Sequence, residues 1–343
     1  IILPRAQAAL SCRLYIRNDK DEEFSSFDML WQGMENGSDI YEAGVDTSVV
    51  GLYFFYIEIN KHLWNEYTHK RGPYVYTSGD RDNIGYFQLT IYDRAYEPPA
   101  FLYGGLFYHI FVDRFYRGEE NENLEYTLSQ IKKDDIKSKY DIRYFGEDFD
   151  NQKKRTIILR DKWGAQPIWQ ADKHREILNN DFFGGTLMGI REKLDYFVSL
   201  GVTCLYLSPI FEAYSSHKYD TGNYGKIDAM FGDEREFKKL CEEAEKKGIT
   251  IMLDGVFNHT GADSIYFNAY NTYDEKGAFQ SEDSKYYDWF YFDKWPERYS
   301  SWWGIGSLPT VNKNCKAHSD YLFGKDGIVR KYIRLGAGGW RLD

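Results

Sequence analysis

A helical pattern, a glycine and an apolar strand-like run follow one another twice in the second half of the chain. Apolar residues at helical spacing over 187–200 end at Gly201, and the apolar run 202–207 follows. A second helical pattern ends at Gly248, directly before the run 249–254. Repeated helix–strand units place their strands side by side in a parallel sheet. The repetition therefore predicts an α/β fold for this part of the chain.

The helix before Gly248 has recognisable signals at its start and along one face. Asp233 followed by Glu236 predicts a capping box at the amino end. The residues predicted to form its buried face are Phe237, Leu240, Cys241 and Ala244.

Polar residues follow one of these strands closely. The run 249–260 (ITIMLDGVFNHT) is apolar up to Asp254, and Asn258 and His259 come shortly after. The carboxyl ends of parallel strands are where α/β proteins carry their chemistry. Asp254 and His259 are therefore candidate site residues, with a helix cap or a satisfied core group as the alternative.

The run 339–343 (GWRLD) also carries polar residues at the end of a predicted strand. In a strand, Arg341 and Asp343 point to the same face. A guanidinium beside a carboxylate keeps that carboxylate ionised, which is the state that a carboxylate nucleophile needs. A structural ion pair is the alternative interpretation.

Four strands of this kind are predicted, near 106–112, 202–207, 249–254 and 339–343. A (β/α)8 barrel needs eight strands. We therefore expect the first half of such a barrel, over residues 101–343, and expect the sequence to be a fragment of a longer protein.

Three segments precede or interrupt the barrel pattern. Residues 1–100 alternate like strands, most clearly at 52–59 and 86–92, and predict an antiparallel β-sandwich. Residues 117–160 are rich in charge and predict a long insertion. Residues 261–312 are crowded with aromatic side chains and predict a subdomain inserted after the third strand.

Composition limits the classes of partner. The formal net charge is −10, which disfavours a nucleic acid backbone as a ligand. Aromatic residues make up 18% of the chain, which suits large cores and also a neutral sugar polymer with flat apolar faces. Because no run of 18 apolar residues occurs, no membrane span is predicted.

Four cysteines are scattered along the chain without a C-x-x-C motif: Cys12, Cys204, Cys241 and Cys315. We interpret them as buried thiols, which favours a reducing compartment and therefore the cytoplasm over secretion.

The chain resembles the α-amylase family of glycoside hydrolases (glycoside hydrolase family 13), which are retaining (β/α)8 enzymes acting on α-glucans. The resemblance covers residues 101–343. The segments that carry it are 107–115 (FYHIFVDRF), 202–228 with LSPI and HKYD, 254–259 (DGVFNH) and 339–343 (GWRLD). The first 100 residues resemble the β-sandwich of neopullulanase-like and pullulan-degrading members, in which a homodimer is common.

The resemblance implies a role for each matched residue. Asp343 corresponds to the catalytic nucleophile, and Arg341 to the arginine that orients and ionises it. The residues implied to bind substrate or to support the hydrogen-bond network of the site are His217, Tyr219, Asp254 and His259. Asn258 matches a position that is structural in some members and helps to bind calcium in others.

The chain departs from the family pattern in two ways. The family's general acid, a glutamate after the fifth strand, has no counterpart here, and retaining hydrolysis needs one. The loop Arg117–Glu120 and the Gly184-Gly185-Thr186 sequence do not match the calcium ligands of neopullulanase-like members. We therefore predict no metal and no other cofactor.

The implied function is retaining hydrolysis of α-glucosidic bonds in starch, maltodextrin or pullulan, with an incomplete catalytic domain in the sequence given. An α-glucanotransferase or branching enzyme is an alternative, as is a non-catalytic glucan-binding relative. Trp302 and Trp303 could stack on a glucan or belong to a core, and Tyr219 taken alone could be a surface tyrosine.

Overall fold

A computed structural model describes residues 1–60, 62–64, 86–118, 139–144, 155–170 and 177–343. The chain divides into two compact units, Ile1–Pro99 and Ala100–Asp343.

The first unit consists of two antiparallel sheets. Its strands are β1 (Ile2–Pro4), β2 (Cys12–Asn18), β3 (Ser25–Asp28), β4 (Leu30–Glu35), β5 (Ser38–Glu42), β6 (Gly51–Ile59), β7 (His62–Trp64) and β8 (Phe87–Ile91). One sheet has the order β1-β5-β4, and the other has the order β3-β2-β6-β7 with β8 also paired to β6. The strands predicted near 52–59 and 86–92 are thus present, as β6 and β8, whereas most of the segment between them lies outside the described residues.

The side chains of β2 alternate between its two faces, and one of these faces packs into a core that the two sheets share. Cys12, Leu14 and Ile16 are buried, while the residues between them point away. They pack in one apolar cluster with residues of β6 and with Leu3 and Tyr41 from the other sheet.

The second unit is organised around a four-stranded parallel sheet. Its strands are β9 (Leu106–Ile110), β13 (Val202–Leu207), β16 (Thr250–Gly255) and β19 (Gly339–Leu342). They lie in the order β19-β16-β13-β9, and every pair is parallel. Consecutive strands that lie side by side fit part of a (β/α)8 barrel, and the four predicted strands are confirmed.

The α-helices in the described part of this unit are α1 (Leu187–Glu192), α2 (Leu194–Ser199), α3 (Glu234–Lys246), α4 (Lys316–Phe323) and α5 (Ile328–Arg334). The prediction of one continuous helix over 187–200 is wrong, because Lys193 leaves the helical conformation and separates α1 from α2. Gly201 and Gly248 both have a φ of +74°, a left-handed conformation that ends each helix at little cost for glycine.

Helix α3 begins as predicted, but only half of the capping box forms. The Asp233 carboxylate accepts hydrogen bonds from the backbone N–H groups of Arg235 and Glu236. The Glu236 side chain instead forms a 2.6 Å ion pair with Arg191 of α1. The four residues predicted for the apolar face of α3 are all buried.

The segment 117–160, predicted from its charge to be a long insertion, contains a buried strand that the sequence pattern does not predict. Strands β10 (Asp141–Tyr144), β11 (Thr156–Leu159) and β12 (Asp181–Phe182) form a small parallel sheet. All four residues of β11 are buried, and Ile157 and Leu159 belong to the main core. The charged residues on either side concealed this short apolar strand; residues 119–138 and 145–154 lie outside the described ranges.

The aromatic segment after β16 packs mostly on itself and on the main core. Its short strands are β17 (Phe292–Lys294) and β18 (Arg298–Tyr299), which pair in antiparallel fashion. The Phe267 ring lies 4.9 Å from that of Phe290 and 4.7 Å from that of Tyr299. Trp303 is the most exposed of these aromatic residues, at 86%, followed by Tyr270 and Tyr291.

The cysteines are unpaired, as expected; Cys12, Cys204 and Cys241 are buried, whereas Cys315 is partly exposed. None of the helices in the described ranges has both the length and the apolar composition needed to cross a bilayer.

Candidate active site

Three neighbouring strands bring polar side chains to one edge of the parallel sheet. Tyr206 lies near the end of β13, Asp254 near the end of β16, and Arg341 in β19. Asp254 and Arg341 are paired residues of adjacent strands, so their side chains start side by side. This edge is the carboxyl end of the sheet, where active sites of this architecture form.

Asp254 is the centre of the cluster. Asp254 is only 1% exposed. Its Oδ2 atom accepts hydrogen bonds from the hydroxyl groups of Tyr206 and Tyr219, the latter at 3.0 Å. Arg341 Nη1 donates to both carboxylate oxygens at 3.3 Å. Burial raises the pKa of Asp254 above its usual value, and these donors oppose that shift by stabilising the anion.

Arg341 connects the two carboxylates of the site. The same Nη1 atom that contacts Asp254 also donates to Asp343 Oδ1. Burial tends to lower the pKa of Arg341, but the hydrogen bond to Asp343 and the charge of Asp254 outweigh it, so the pKa lies above its usual value. Arg341 is therefore a permanent cation that holds both carboxylates.

The loop between β14 (Phe211–Ala213) and β15 (Thr221–Ile227) positions Tyr219 and His217. Lys218, between them, is fully buried and has a φ of +64°. Its Nζ atom lies 2.6 Å from Asp228 Oδ2 and donates to the Ala213 carbonyl at 2.8 Å. This buried ion pair fixes the loop, because separating the two charges would leave each without a partner.

Both histidines contact the backbone of Tyr219. His217 Nδ1 accepts the Tyr219 N–H at 3.1 Å. His259 Nε2 lies 3.1 Å from the Tyr219 carbonyl oxygen, and its Nδ1 faces Asn258 Oδ1. Burial lowers the pKa of both side chains below the usual histidine value. Asn258, next to His259, donates its amide to the backbone oxygen of Asp343 at 3.1 Å.

The structure thus brings together, through direct contacts, all six residues singled out from the sequence: His217, Tyr219, Asp254, His259, Arg341 and Asp343. The His217 ring lies 5.8 Å from the Tyr219 ring. Tyr206 was not anticipated. The sequence signal for it was a tyrosine near the end of an otherwise apolar strand. In the structure the Tyr206 ring also stacks on the His109 ring, with centroids 4.5 Å apart.

The described residues around Arg117 and Gly184 do not fit a calcium site. The Arg117 guanidinium donates to the carbonyl oxygens of Phe183 at 2.6 Å and Arg160 at 2.9 Å. Asp113, fully buried, accepts from the N–H groups of Phe183 and Gly184. A hard cation such as calcium needs several oxygen ligands. Here the carbonyl oxygens accept from a guanidinium, and the Asp113 carboxylate accepts from backbone N–H groups. Glu119 and Glu120 lie outside the described residues.

The parallel sheet with its polar cluster at the strand ends defines an α/β domain of the barrel type. The family model described as "Alpha amylase, catalytic domain" matches residues 109–343. The chain therefore belongs to the α-amylase family.

Named relatives match about half to three quarters of the chain. Amylopullulanase from Thermoanaerobacterium saccharolyticum is 39% identical over 276 residues, which are 75% of this chain and 20% of that protein. Neopullulanase 2 from Thermoactinomyces vulgaris is 38% identical over 172 residues, 48% of this chain and 28% of that protein. The chain thus spans well under two thirds of the length of these relatives.

Solved structures show the same architecture. The type III pullulan hydrolase from Thermococcus kodakarensis is 25% identical, with a TM-score of 0.52 over 98% of this chain and 51% of that chain. The cyclic α-maltosyl-(1→6)-maltose hydrolase from Arthrobacter globiformis is 29% identical, with a TM-score of 0.50 over 72% and 46% of the two chains.

Proposed function

We propose that the protein hydrolyses α-glucosidic bonds in an α-glucan such as starch, maltodextrin or pullulan, with retention of configuration at the anomeric carbon. The observation that carries the proposal is the arginine bridge: Arg341 holds Asp343 and the buried Asp254 with one nitrogen atom. The names of the relatives, among them amylopullulanase and pullulan hydrolase, support an α-glucan as the substrate.

Asp343 is the nucleophile of this proposal. Only Oδ1 of its carboxylate is engaged by Arg341, and Oδ2 is left to attack the anomeric carbon and form a glycosyl ester. Water then attacks the ester and restores the carboxylate, so two inversions give net retention. A general acid about 5–5.5 Å from the nucleophile is also required, and we assign that role to none of the described residues.

The remaining residues bind and orient the sugar. Tyr219 offers its ring to the apolar face of the pyranose, with its hydroxyl fixed by Asp254. We assign the imidazoles of His217 and His259 to hydrogen bonds with sugar hydroxyls. Asp254 itself holds Tyr219 and Arg341 in place and does not react.

The domain boundaries, the oligomeric state and the cellular location also belong to the proposal. The two sheets of residues 1–100 would form a β-sandwich related to carbohydrate-binding modules, followed by the catalytic domain over 101–343 with its insertion at about 261–312. A homodimer and a cytoplasmic location stay predictions. Sedimentation velocity and cell fractionation, respectively, would check them.

The test uses the complete gene product with maltohexaose and pullulan as substrates. Asp343→Asn is expected to lower kcat by roughly 10⁴-fold, because an amide cannot replace the nucleophile. Asp326→Asn, at an exposed position, serves as the matched control. NMR of the first product formed should show the α-anomer. An Asp343→Asn variant of wild-type activity, or a β-anomeric first product, would contradict the proposal.

A further inference from the structure

Two tryptophans next to the active site are arranged in a way that neither burial nor local folding explains. The rings of Trp302 and Trp303 are stacked, with centroids 4.7 Å apart and an interplanar angle of 4°. Trp303 is 86% exposed, whereas most aromatic side chains of this segment are packed in the core. An exposed indole that is stacked on a second indole offers a flat apolar surface to a ligand.

The backbone at Trp303 is unusual for its residue type. Ile305 N–H donates to the Trp302 carbonyl at 2.9 Å, which closes a four-residue turn. The φ angles of the two central residues are +51° at Trp303 and +78° at Gly304. Turns with positive φ at both central positions favour Asn-Gly, and a bulky residue there is an outlier. Trp303 therefore occupies a position where asparagine would serve the turn better.

The turn is firmly attached to the sugar-binding part of the site. Thr260 N–H donates to the Pro309 carbonyl at 3.1 Å, and Ala262 N–H donates to the Ser307 carbonyl at 2.8 Å. The Trp302 ring lies 5.3 Å from the His259 ring. Trp302 thus links His259 to the exposed ring of Trp303, and the three rings form a continuous path away from the cluster around Asp254.

We propose that Trp303, supported by Trp302, is a stacking platform for a pyranose ring of the α-glucan, one or more sugars beyond the ring held near His259. The proposal rests on the proposed function for the nature of its ligand. A pyranose presents an apolar face of C–H groups, and a rigid, exposed indole offers a matching surface at low entropic cost. The platform would favour longer glucans over short ones.

The closing experiment measures maltohexaose binding to the complete gene product by isothermal titration calorimetry, with Asp343→Asn present in every protein compared so that the ligand is not hydrolysed during the titration. Trp303→Asn removes the platform and places the preferred residue in the turn, so its melting temperature should equal or exceed that of the wild type. We expect Kd to rise about tenfold, the scale of one lost stacked ring. Trp169→Asn is the matched control, because Trp169 is 69% exposed elsewhere in the same unit and should leave Kd unchanged.

A second readout separates this inference from the proposed function. Hydrolysis of maltohexaose by the wild type reports on the proposed function, whereas the change in Kd reports on the platform. Trp303→Asn should raise KM for maltohexaose more than KM for a p-nitrophenyl α-glucoside, because the short substrate has no further sugar to stack on the platform. A folded Trp303→Asn variant whose Kd for maltohexaose equals that of the Asp343→Asn parent overturns the platform, as does a parent that does not bind maltohexaose.

Discussion

Asp254 and Asp343 share Arg341, yet their surroundings differ in a way that separates their roles. Asp254 is 1% exposed and accepts hydrogen bonds from two tyrosines as well as from the arginine. Asp343 is partly exposed, and among the described residues only Arg341 donates to its carboxylate. A carboxylate whose oxygens are all engaged can hold its neighbours, whereas one with a free oxygen can attack an electrophile.

Removing the shared arginine should affect the two carboxylates unequally. In Arg341→Met, Asp254 keeps its tyrosine donors, but Asp343 loses the group that orients it. We expect kcat on maltohexaose to decrease by roughly 10²- to 10³-fold, as for the loss of a preorganised charged donor. The control is Arg330→Met at an exposed position. If both variants have the same kcat, the bridge has no role in catalysis.

The holding role of Asp254 predicts a combined effect on stability and activity. Asp254→Asn replaces a charged acceptor that Tyr206, Tyr219 and Arg341 surround. We expect the free energy of unfolding to decrease by about 1–3 kcal/mol, because buried donors lose their acceptor. Activity should decrease less than in Asp343→Asn. Urea denaturation and steady-state kinetics check both, and a larger activity loss at Asp254 than at Asp343 would reverse the assigned roles.

Tyr206→Phe removes one donor from Asp254 and should have a smaller effect. Since that hydrogen bond favours the carboxylate, its loss raises the pKa of Asp254 further. We expect a decrease in kcat of a few-fold, about the effect of one hydrogen bond, and an acidic limb of the pH–rate profile displaced to higher pH. The control Tyr196→Phe, at an exposed position, should change neither kcat nor the acidic limb. An unchanged acidic limb in Tyr206→Phe would show that Tyr206 only packs.

Another buried carboxylate, Asp263, offers a comparison outside the cluster. Burial raises the pKa of Asp263 from 3.8 to about 6, although Arg155 lies 2.6 Å away and opposes the shift. The folded state therefore binds a proton that the unfolded state has released, and stability falls as pH rises from about 4 to about 6. In Asp263→Asn this part of the pH dependence should disappear, as measured by urea denaturation at several pH values. If the free energy of unfolding of Asp263→Asn depends on pH as it does in the wild type, Asp263 is not the group that titrates.

Sequence patterns predicted the parts of the fold that depend on local periodicity. The four parallel strands and the apolar face of helix α3 follow from the spacing of apolar residues and from the glycines at 201 and 248. The break at Lys193 and the short strand β11 were missed, because a single non-helical residue and four apolar residues between charged segments give weak local signals.

The site was predictable where its residues sit at strand ends, and less so where contacts depend on register. Asp254, Arg341 and Asp343 were found in this way. The contact of Tyr206 with Asp254 arises only because β13 and β16 pair with Leu207 opposite Leu253, which no local pattern specifies. Likewise, the exposure of Trp303 depends on the turn conformation and could not be separated from core packing beforehand.

The most direct measurement traps the covalent intermediate. The complete gene product would be incubated with a fluorinated α-maltosyl fluoride, which forms the glycosyl ester and slows its hydrolysis, and then digested for mass spectrometry. The account predicts that the added sugar mass lies on the peptide containing Asp343 and that Asp343→Asn abolishes labelling. A sugar attached to any other residue, or an active enzyme that never labels, would contradict Asp343 as the nucleophile.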